Sequence, residues 1–449
     1  MMNLLFKAAE YASQYITNQD QRGVFPDTKA LARLSELEFA LPPEPTDPEE
    51  VLSLLYKIGS PATVVSTGGR YFGFVTGGTL PASLAANWLA GAWDQPADMV
   101  IASPIGAKIE EVASLWLLEA LQLPRESGVG FVTGATMANF CGLAAARHSL
   151  LRKTGWDVEA QGLFGAPEIS VVVGEEVHAS ILKALSMLGL GRERVIKTPV
   201  DGQGRMIADA LPRIDGPTIL IIQAGNVNSG SFDPAGAIYA ATHTPEVWIH
   251  VDGAFGLWAA ASPAYSHLTA GFEKADSWAV DGHKWLNVPY DSGMVICRTE
   301  SDLRAALSYS AAYLDFGEKR EPGFYTPEMS RRARGIEVWA ALLSLGRAGL
   351  GALIERSCRF ARNFSDGLSS AGYEILNEVV LNQVMVSFGD DEATRQVIAA
   401  LQKDGTCWCG GTVWQGRTAM RISVSSWLTT EQDVDISLGA ILRVAKSFR

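Results

Sequence analysis

Between residues 124 and 298 short apolar runs rich in β-branched residues alternate with helical runs. Few architectures accommodate that pattern. The β-rich runs fall at 130–133, 169–173, 195–200, 218–223, 247–252, 277–280 and 293–297. Strands joined through helices run parallel, and a parallel sheet is covered on both faces. The alternation therefore predicts an α/β fold with a mainly parallel central sheet covered by helices. Ahead of it, Ser103 and Pro104 offer an N-cap and a first-turn proline. Ile105, Ile109, Val112, Leu115 and Trp116 follow at helical spacing, in a helix expected to end before Pro124.

At 449 residues the chain exceeds what one hydrophobic core usually fills. Residues 1–65 carry helical patches broken by Pro42, Pro43, Pro45 and Pro48, and read as an N-terminal helical arm. Residues 66–329 read as a large domain. Its last stretch, 299–328, has no clear period and is expected to be a long loop of the kind that serves as a lid. Helical runs at 330–348 and 351–370 precede strand-like 384–388 and 420–424. With a closing helix near Thr429, Thr430 and Glu431, they predict a smaller C-terminal α+β domain over 330–449.

A formal net charge of -12 repels polyanions, so neither nucleic acid nor an anionic membrane is an expected partner, and small molecules are. No start of the signal-peptide type and no run of about 18 apolar residues occurs, which reads as cytoplasmic. Cys141, Cys297, Cys358, Cys407 and Cys409 are scattered and odd in number, as expected of reduced thiols. The pair at 407 and 409 lacks a second pair or nearby histidines, so no metal is expected.

The chemistry concentrates around Asp281-Gly282-His283-Lys284-Trp285. A solitary lysine after a strand is ordinarily a solvated loop residue, but a desolvated one is a Schiff-base nucleophile. Asp252 closes the preceding run, 32 positions earlier by subtraction (284 - 252). In an open α/β sheet both strand ends reach one crevice. That pairing suits pyridoxal 5'-phosphate (PLP), whose ring nitrogen needs a carboxylate to stay protonated and act as an electron sink. Thr133-Gly134-Ala135-Thr136 leads from a strand into a helix, where small residues and orphan N–H groups receive a phosphate. His178, just past the run at 169–173, is placed to stack on the ring and assist proton transfer.

Together these residues resemble the group II PLP-dependent amino-acid decarboxylases, the family of aromatic amino-acid, glutamate and histidine decarboxylases. Tyr71-Phe72-Gly73-Phe74 with Leu80-Pro81-Ala82, the Thr-Gly-Ala-Thr turn, His178, His250-Val251-Asp252, His283-Lys284-Trp285, Ser330-Arg331-Arg332 and Met420-Arg421-Ile422 follow in the family's order, from about Tyr71 to the last helix. The resemblance implies the fold-type I PLP-dependent transferase architecture and an obligate homodimer with active sites at the subunit interface. It implies that Lys284 forms the Schiff base, His178 stacks on the cofactor and Asp252 meets the pyridine nitrogen. By the same resemblance Ala254 packs on the ring, Ala135, Thr136, Asp281 and His283 contact phosphate and ring, and Thr76 lies on the substrate side.

Departures bear on the reaction. Where the family usually has Gly-Thr-Thr, this chain has Gly225-Asn226-Val227-Asn228, leaving Asn226 or Asn228 as the replacement for a threonine contact. The family's mobile loop supplies a proton-donating tyrosine; Tyr325 is the candidate and Tyr313 the reserve. Arg421 could meet a substrate carboxylate or be an ion-paired surface residue, and Trp258, Phe74 and Phe324 could line an aromatic pocket or belong to the core. The expected reaction is decarboxylation of an L-amino acid to its amine. The rivals are aldehyde synthesis or carbon-carbon lysis on the same scaffold, and a PLP-binding protein without turnover.

Overall fold

The computed structural model describes residues 2–308 and 320–448. The chain opens with three helices: α1 (Met2–Asn18), α2 (Thr28–Ala32) and α3 (Pro48–Leu54). Aspartates cap the latter two, Asp27 accepting the N–H of Ala30 and Asp47 that of Glu49. α4 (Pro81–Trp93) and α5 (Pro104–Ala120) both begin on proline. Ser103 caps α5 through the N–H of Gly106 at 3.2 Å, as its sequence foretells.

The large sheet follows as β1 (Gly128–Val132), α6 (Ala135–Lys153), α7 (Val158–Gln161), β2 (Ser170–Gly174), α8 (Ala179–Met187), β3 (Ile196–Thr198), β4 (Thr218–Gln223), α9 (Ala235–Thr242), β5 (Val247–Asp252), β6 (Ser277–Asp281) and β7 (Gly293–Cys297). Strand order is β1-β7-β6-β5-β4-β2-β3. From β3 to β6 all pairs are parallel, whereas β7 runs antiparallel to both β6 and β1. Two reversals cancel, so the carboxyl end of β1 lies on the same sheet edge as those of β2, β4, β5 and β6. Every residue of β1, β4, β5, β6 and β7 is buried, because helices cover both faces. At that edge Gly293 admits no side chain: a Cβ there would collide with the backbone of Gly134. This close approach seats the turn before α6 against β7.

The stretch expected to be a loop from 299 begins instead as α10 (Glu300–Leu307), whose Leu303 is buried beside β1 and α6. The two expected helical runs form α11 (Gly335–Ser370), broken at Gly346, where φ is 58° and the helical geometry lapses. By length and composition α11 is also apolar enough to cross a membrane, yet half of that window is buried inside the protein. The remainder is β8 (Glu374–Ile375), β9 (Gln383–Ser387), α12 (Asp391–Asp404), β10 (Gly410–Trp414), β11 (Arg417–Ser423) and α13 (Glu431–Lys446). Its strands form an antiparallel sheet in the order β10-β11-β9-β8. Phe360, Phe364, Val384, Ile422 and Ile441 make a second core, joined by Phe72 from far upstream. Backbone bonds from Phe72 N–H to the Trp408 carbonyl (2.8 Å) and from Ser423 N–H to the Phe72 carbonyl (3.0 Å) bind that early segment to the small sheet.

A buried ion pair ties the segment after residue 319 to α5. Arg331 donates to both oxygens of Glu110 at 2.8 and 2.9 Å, and both side chains are 1% exposed. Removing one partner strands a charge in a dry site, which costs about 3–5 kcal/mol, whereas replacing both with apolar groups is close to neutral. Glu110→Ala is therefore expected to lower stability by about 3–5 kcal/mol. Glu110→Leu combined with Arg331→Met recovers only part of the loss, because Arg320 Nη1, 3.7 Å from Glu110 Oε2, is left without its anion, as read from denaturant titrations.

Candidate active site

The shared strand edge opens into a cavity of about 450 Å³. Each strand delivers its residues at the carboxyl end. β1 supplies Thr133 and Gly134, followed by Ala135 and Thr136 in the first turn of α6; β2 supplies His178; β5 supplies Asp252 and Ala254; β6 supplies Asp281, His283 and Lys284. From the small sheet Arg421 reaches the same cavity. Chain topology, not local sequence, brings these groups together.

Asp281 is the electrostatic hub. Its side chain, 3% exposed, accepts the Ala135 N–H at 2.5 Å with Oδ1 and lies 3.1 Å from Lys284 Nζ with Oδ2. A carboxylate at a helix N-terminus is favoured by the orphan N–H groups and the helix dipole. Below it, the Asp281 carbonyl accepts the indole N–H of Trp258 at 3.0 Å, so Trp258 is a floor beneath the site and not a wall of it. Asp252 is 5% exposed at the end of β5, its Oδ1 accepting the Ala254 N–H at 3.3 Å.

His283 stacks on Tyr290, with ring centroids 4.2 Å apart, and its Nε2 lies 3.6 Å from Asp281 Oδ2. Burial holds its imidazole below the ordinary pKa, against the pull of Asp281. His283 Nδ1 is buried without a hydrogen-bond partner. A buried polar atom of this kind calls for a partner that the protein does not supply. It lies beside Gly134, where a Cβ would come within 3.2 Å of the His283 ring. A glycine-floored cradle, a helix N-terminus and an orphaned ring nitrogen fit a phosphate, and a lysine amine with a separate carboxylate fits the rest of PLP.

Lys284, His178, Asp252, Thr133, Gly134, Ala135, Thr136, Ala254, Asp281, His283 and Arg421 thus line one cavity. Three candidates do not. Asn226 turns inward, its Oδ1 accepting the N–H groups of Asn228 (2.8 Å) and Ser229 (3.3 Å), because an asparagine closes this turn locally. Thr76 stands behind Tyr290, with Oγ1 3.4 Å from the phenol oxygen, and Tyr290 takes the wall. Tyr325 lies away from the cavity, 1% exposed. Its hydroxyl donates to Glu300 and its ring sits under the Arg320 guanidinium at 4.2 Å. With Phe324 it joins the apolar cluster of Val132 and Leu303, so burial decides both positions. Tyr313 falls outside the described residues.

Several wall residues escaped the sequence reading. Gln223 pairs with Asp252 in the parallel register of β4 and β5, so the strand-end rule that found Asp252 applies equally to Gln223. Val227 occupies the wall where the turn of Asn226 withdraws a polar side chain. Arg421 donates to Asn228 Oδ1 at 3.0 Å, and burial works against its charge. Among the described residues no carboxylate lies within salt-bridge distance of it.

Comparison with known proteins agrees with this geometry. The pyridoxal-dependent decarboxylase conserved domain matches residues 34–388. Tryptophan decarboxylase 1 of Oryza sativa subsp. japonica is 26% identical, across 96% of this chain and 90% of that protein. An aromatic-L-amino-acid decarboxylase of Bacillus atrophaeus is 25% identical, across 90% and 87%. The crystal structure of Oryza sativa TDC with PLP and tryptamine superposes with a TM-score of 0.91 at 22% identity, covering 99% of this chain and 97% of that one. With a conserved domain matched over most of its length, the chain belongs to the pyridoxal-dependent decarboxylase family.

Proposed function

We infer that this protein is a PLP-dependent amino-acid decarboxylase that releases the α-carboxylate of an L-amino acid as carbon dioxide and leaves the amine. The observation that carries this reading is the convergence of Lys284, Asp252 and His178 on one cavity beside the phosphate-type turn at Gly134. Lys284 is the residue that would hold the cofactor's aldehyde carbon, Asp252 the one that would face its ring nitrogen, and the first turn of α6 with His283 would receive its phosphate. Bound there, PLP supplies an electron sink for the pair left behind when the carboxylate departs. Asp281 holds the Lys284 amine at 3.1 Å, oriented into the cavity. Arg421 offers an uncompensated guanidinium to the substrate carboxylate, and His178 brings an imidazole to the same space for proton handling.

We further propose a cytoplasmic homodimer. Support comes from α1, none of whose 17 residues is buried although Met2, Leu5, Phe6 and Ile16 are apolar, and from exposed Trp88, Leu89 and Trp93 on α4. Apolar surface of this extent is characteristic of an interface. Five buried, unpaired thiols suit a reducing compartment.

Incubation of the PLP-loaded protein with a panel of amino acids is expected to yield carbon dioxide and amine in equal amounts; aldehyde with ammonia and peroxide overturns the assignment. Lys284→Ala is expected to abolish turnover and to change the visible absorbance of the loaded protein. Arg421→Met removes a charge-assisted contact of about 1.5–3 kcal/mol, so kcat/KM is expected to fall about 10- to 100-fold. Light scattering is expected to give twice the 48.2 kDa chain mass, and Leu5→Glu with Phe6→Glu to shift it toward the monomer.

A further inference from the structure

A line of hydrogen bonds runs from the floor of the large sheet to the wall of the cavity. The indole N–H of Trp248 on β5 donates to Ser277 Oγ on β6 at 2.8 Å. Ser277 Oγ is 2.7 Å from His250 Nδ1, and His250 Nε2 is 2.9 Å from Asn139 Oδ1 on α6. Asn139 Nδ2 donates to Ser180 Oγ at 3.4 Å, the longest step, and Ser180 Oγ is 2.8 Å from His178 Nδ1. The Ser180 backbone N–H also points at His178 Nδ1, at 3.2 Å, which makes His178 the N-cap of α8 through its side chain.

The Ser180 end of this line is one-way. At the other, Trp248 donates to Ser277, whose single hydroxyl proton remains available to His250 Nδ1. His250 is fully buried, and burial holds its imidazole down to about 3, so it is neutral; with Ser277 donating to Nδ1, its single proton sits on Nε2, facing the Asn139 carbonyl oxygen. Asn139 then presents its amide hydrogens to Ser180, whose hydroxyl proton turns to His178 Nδ1. At the other end the Ser180 backbone N–H cannot rotate away, and it requires a lone pair on the same Nδ1. The fixed Ser180 N–H sets the direction, and the Trp248 end is compatible with it. Reversing the Asn139 amide would move the His250 proton to Nδ1 and turn the Ser180 hydroxyl toward Asn139 and away from His178.

We propose that Ser180, Asn139, His250 and Ser277 are positioning residues that hold His178 as the neutral tautomer with its proton on Nε2, so that the imidazole offers the cavity a hydrogen-bond donor and no lone pair. Among the described residues Nε2 has no hydrogen-bond partner, and the ring lines the cavity. Charged groups facing His178 are Asp252 on β5, Asp281 and Lys284 at the end of β6, and Arg421 on β11. The two carboxylates favour imidazolium and the two cations oppose it, while burial, the largest influence, lowers its pKa. A proton on Nδ1 would confront the fixed Ser180 N–H and remove the cap of α8. In the decarboxylase reading, on which this catalytic meaning rests, His178 gives a hydrogen bond to an anionic group and does not act as a base toward the substrate.

Nitrogen-15 spectra of the full chain labelled at histidine, recorded with and without PLP, test the tautomer directly. The chain has 6 histidines, and His178 is assigned by the resonance pair lost in His178→Gln. The expected result is a pyrrole-type Nε2 and a pyridine-type Nδ1 at pH 6 to 8. A proton on Nδ1, or a charged ring at pH 7, overturns the proposal. Asn139→Asp makes position 139 an acceptor on both sides, draws the Ser180 proton away from His178 and adds a negative charge nearby. It is expected to raise the His178 pKa and move the acid limb of the kcat profile up by about one unit. Ser180→Thr keeps the hydroxyl and is expected to retain the wild-type spectrum, whereas Ser180→Ala shifts the Nδ1 resonance; identical spectra and pH profiles in Asn139→Asp and Ser180→Ala overturn the positioning role. A chain that releases no carbon dioxide yet shows the Nε2 proton refutes the functional reading and keeps this one, and the converse pair of results does the opposite.

Discussion

The Asp281 carboxylate accepts the first N–H of α6 with one oxygen and faces Lys284 with the other, while its own backbone closes β6. A charge so deeply buried persists only when it is compensated, and here a helix terminus and an ammonium do so together. Its position fixes three others. Lys284 cannot swing to solvent without stranding the carboxylate, and the α6 terminus cannot retreat without losing its anion. The β1 turn is in turn pressed against Gly293 of β7, opposite Asp281 in the register. The cavity is thus bounded on one side by a single electrostatic knot made from adjacent strand ends.

That knot is legible in the amino-acid sequence because its parts follow rules of short range or simple topology. Apolar runs at 218–223, 247–252 and 277–280 gave β4, β5 and β6 nearly to the residue, and strand ends in a parallel sheet share one edge. The direction of β7 was not legible: a strand buried on both faces is apolar throughout, so its composition is the same in either orientation. α10 was missed for a related reason. Its short amphipathic pattern carries only two buried residues, Asp302 and Leu303, and tertiary contact with α6 decides it.

Tyr325 and Asn226 show where motif matching parts from physics. Alignment to a family pattern assigns a residue by order along the chain, whereas a phenol ring goes where it buries the most apolar area with a partner for its hydroxyl; Glu300 supplies that partner. Asn226 fills the place of a threonine, but a carboxamide one bond longer reaches its own downstream N–H groups and closes a turn instead of facing a ligand. His178 goes the other way. Read from sequence as a ring above a cofactor, it is also the side-chain cap of α8, so its role in the fold and its role in the cavity constrain one another through Nδ1.

The altered turn has an effect beyond the lost threonine. Withdrawal of Asn226 exposes Val227 to the cavity and aims Asn228 at the small sheet, where its Oδ1 accepts from Thr412 at 3.0 Å and from Arg421 at 3.0 Å. An amide oxygen orients a guanidinium without neutralising it, in contrast to the Glu110 carboxylate that compensates the charge of Arg331. Arg421 therefore keeps its whole charge for a ligand although burial opposes that charge, and a carboxylate entering the cavity relieves the opposition. On the decarboxylase reading, the altered turn acts at this wall in two ways: it sets an apolar Val227 there, which disfavours a polar group beside it, and it aims Arg421 through Asn228, which favours an anionic one. Because Asn228 reaches across from the β4 turn to β11, the large and small sheets must hold their relative position for that cation to stay aimed.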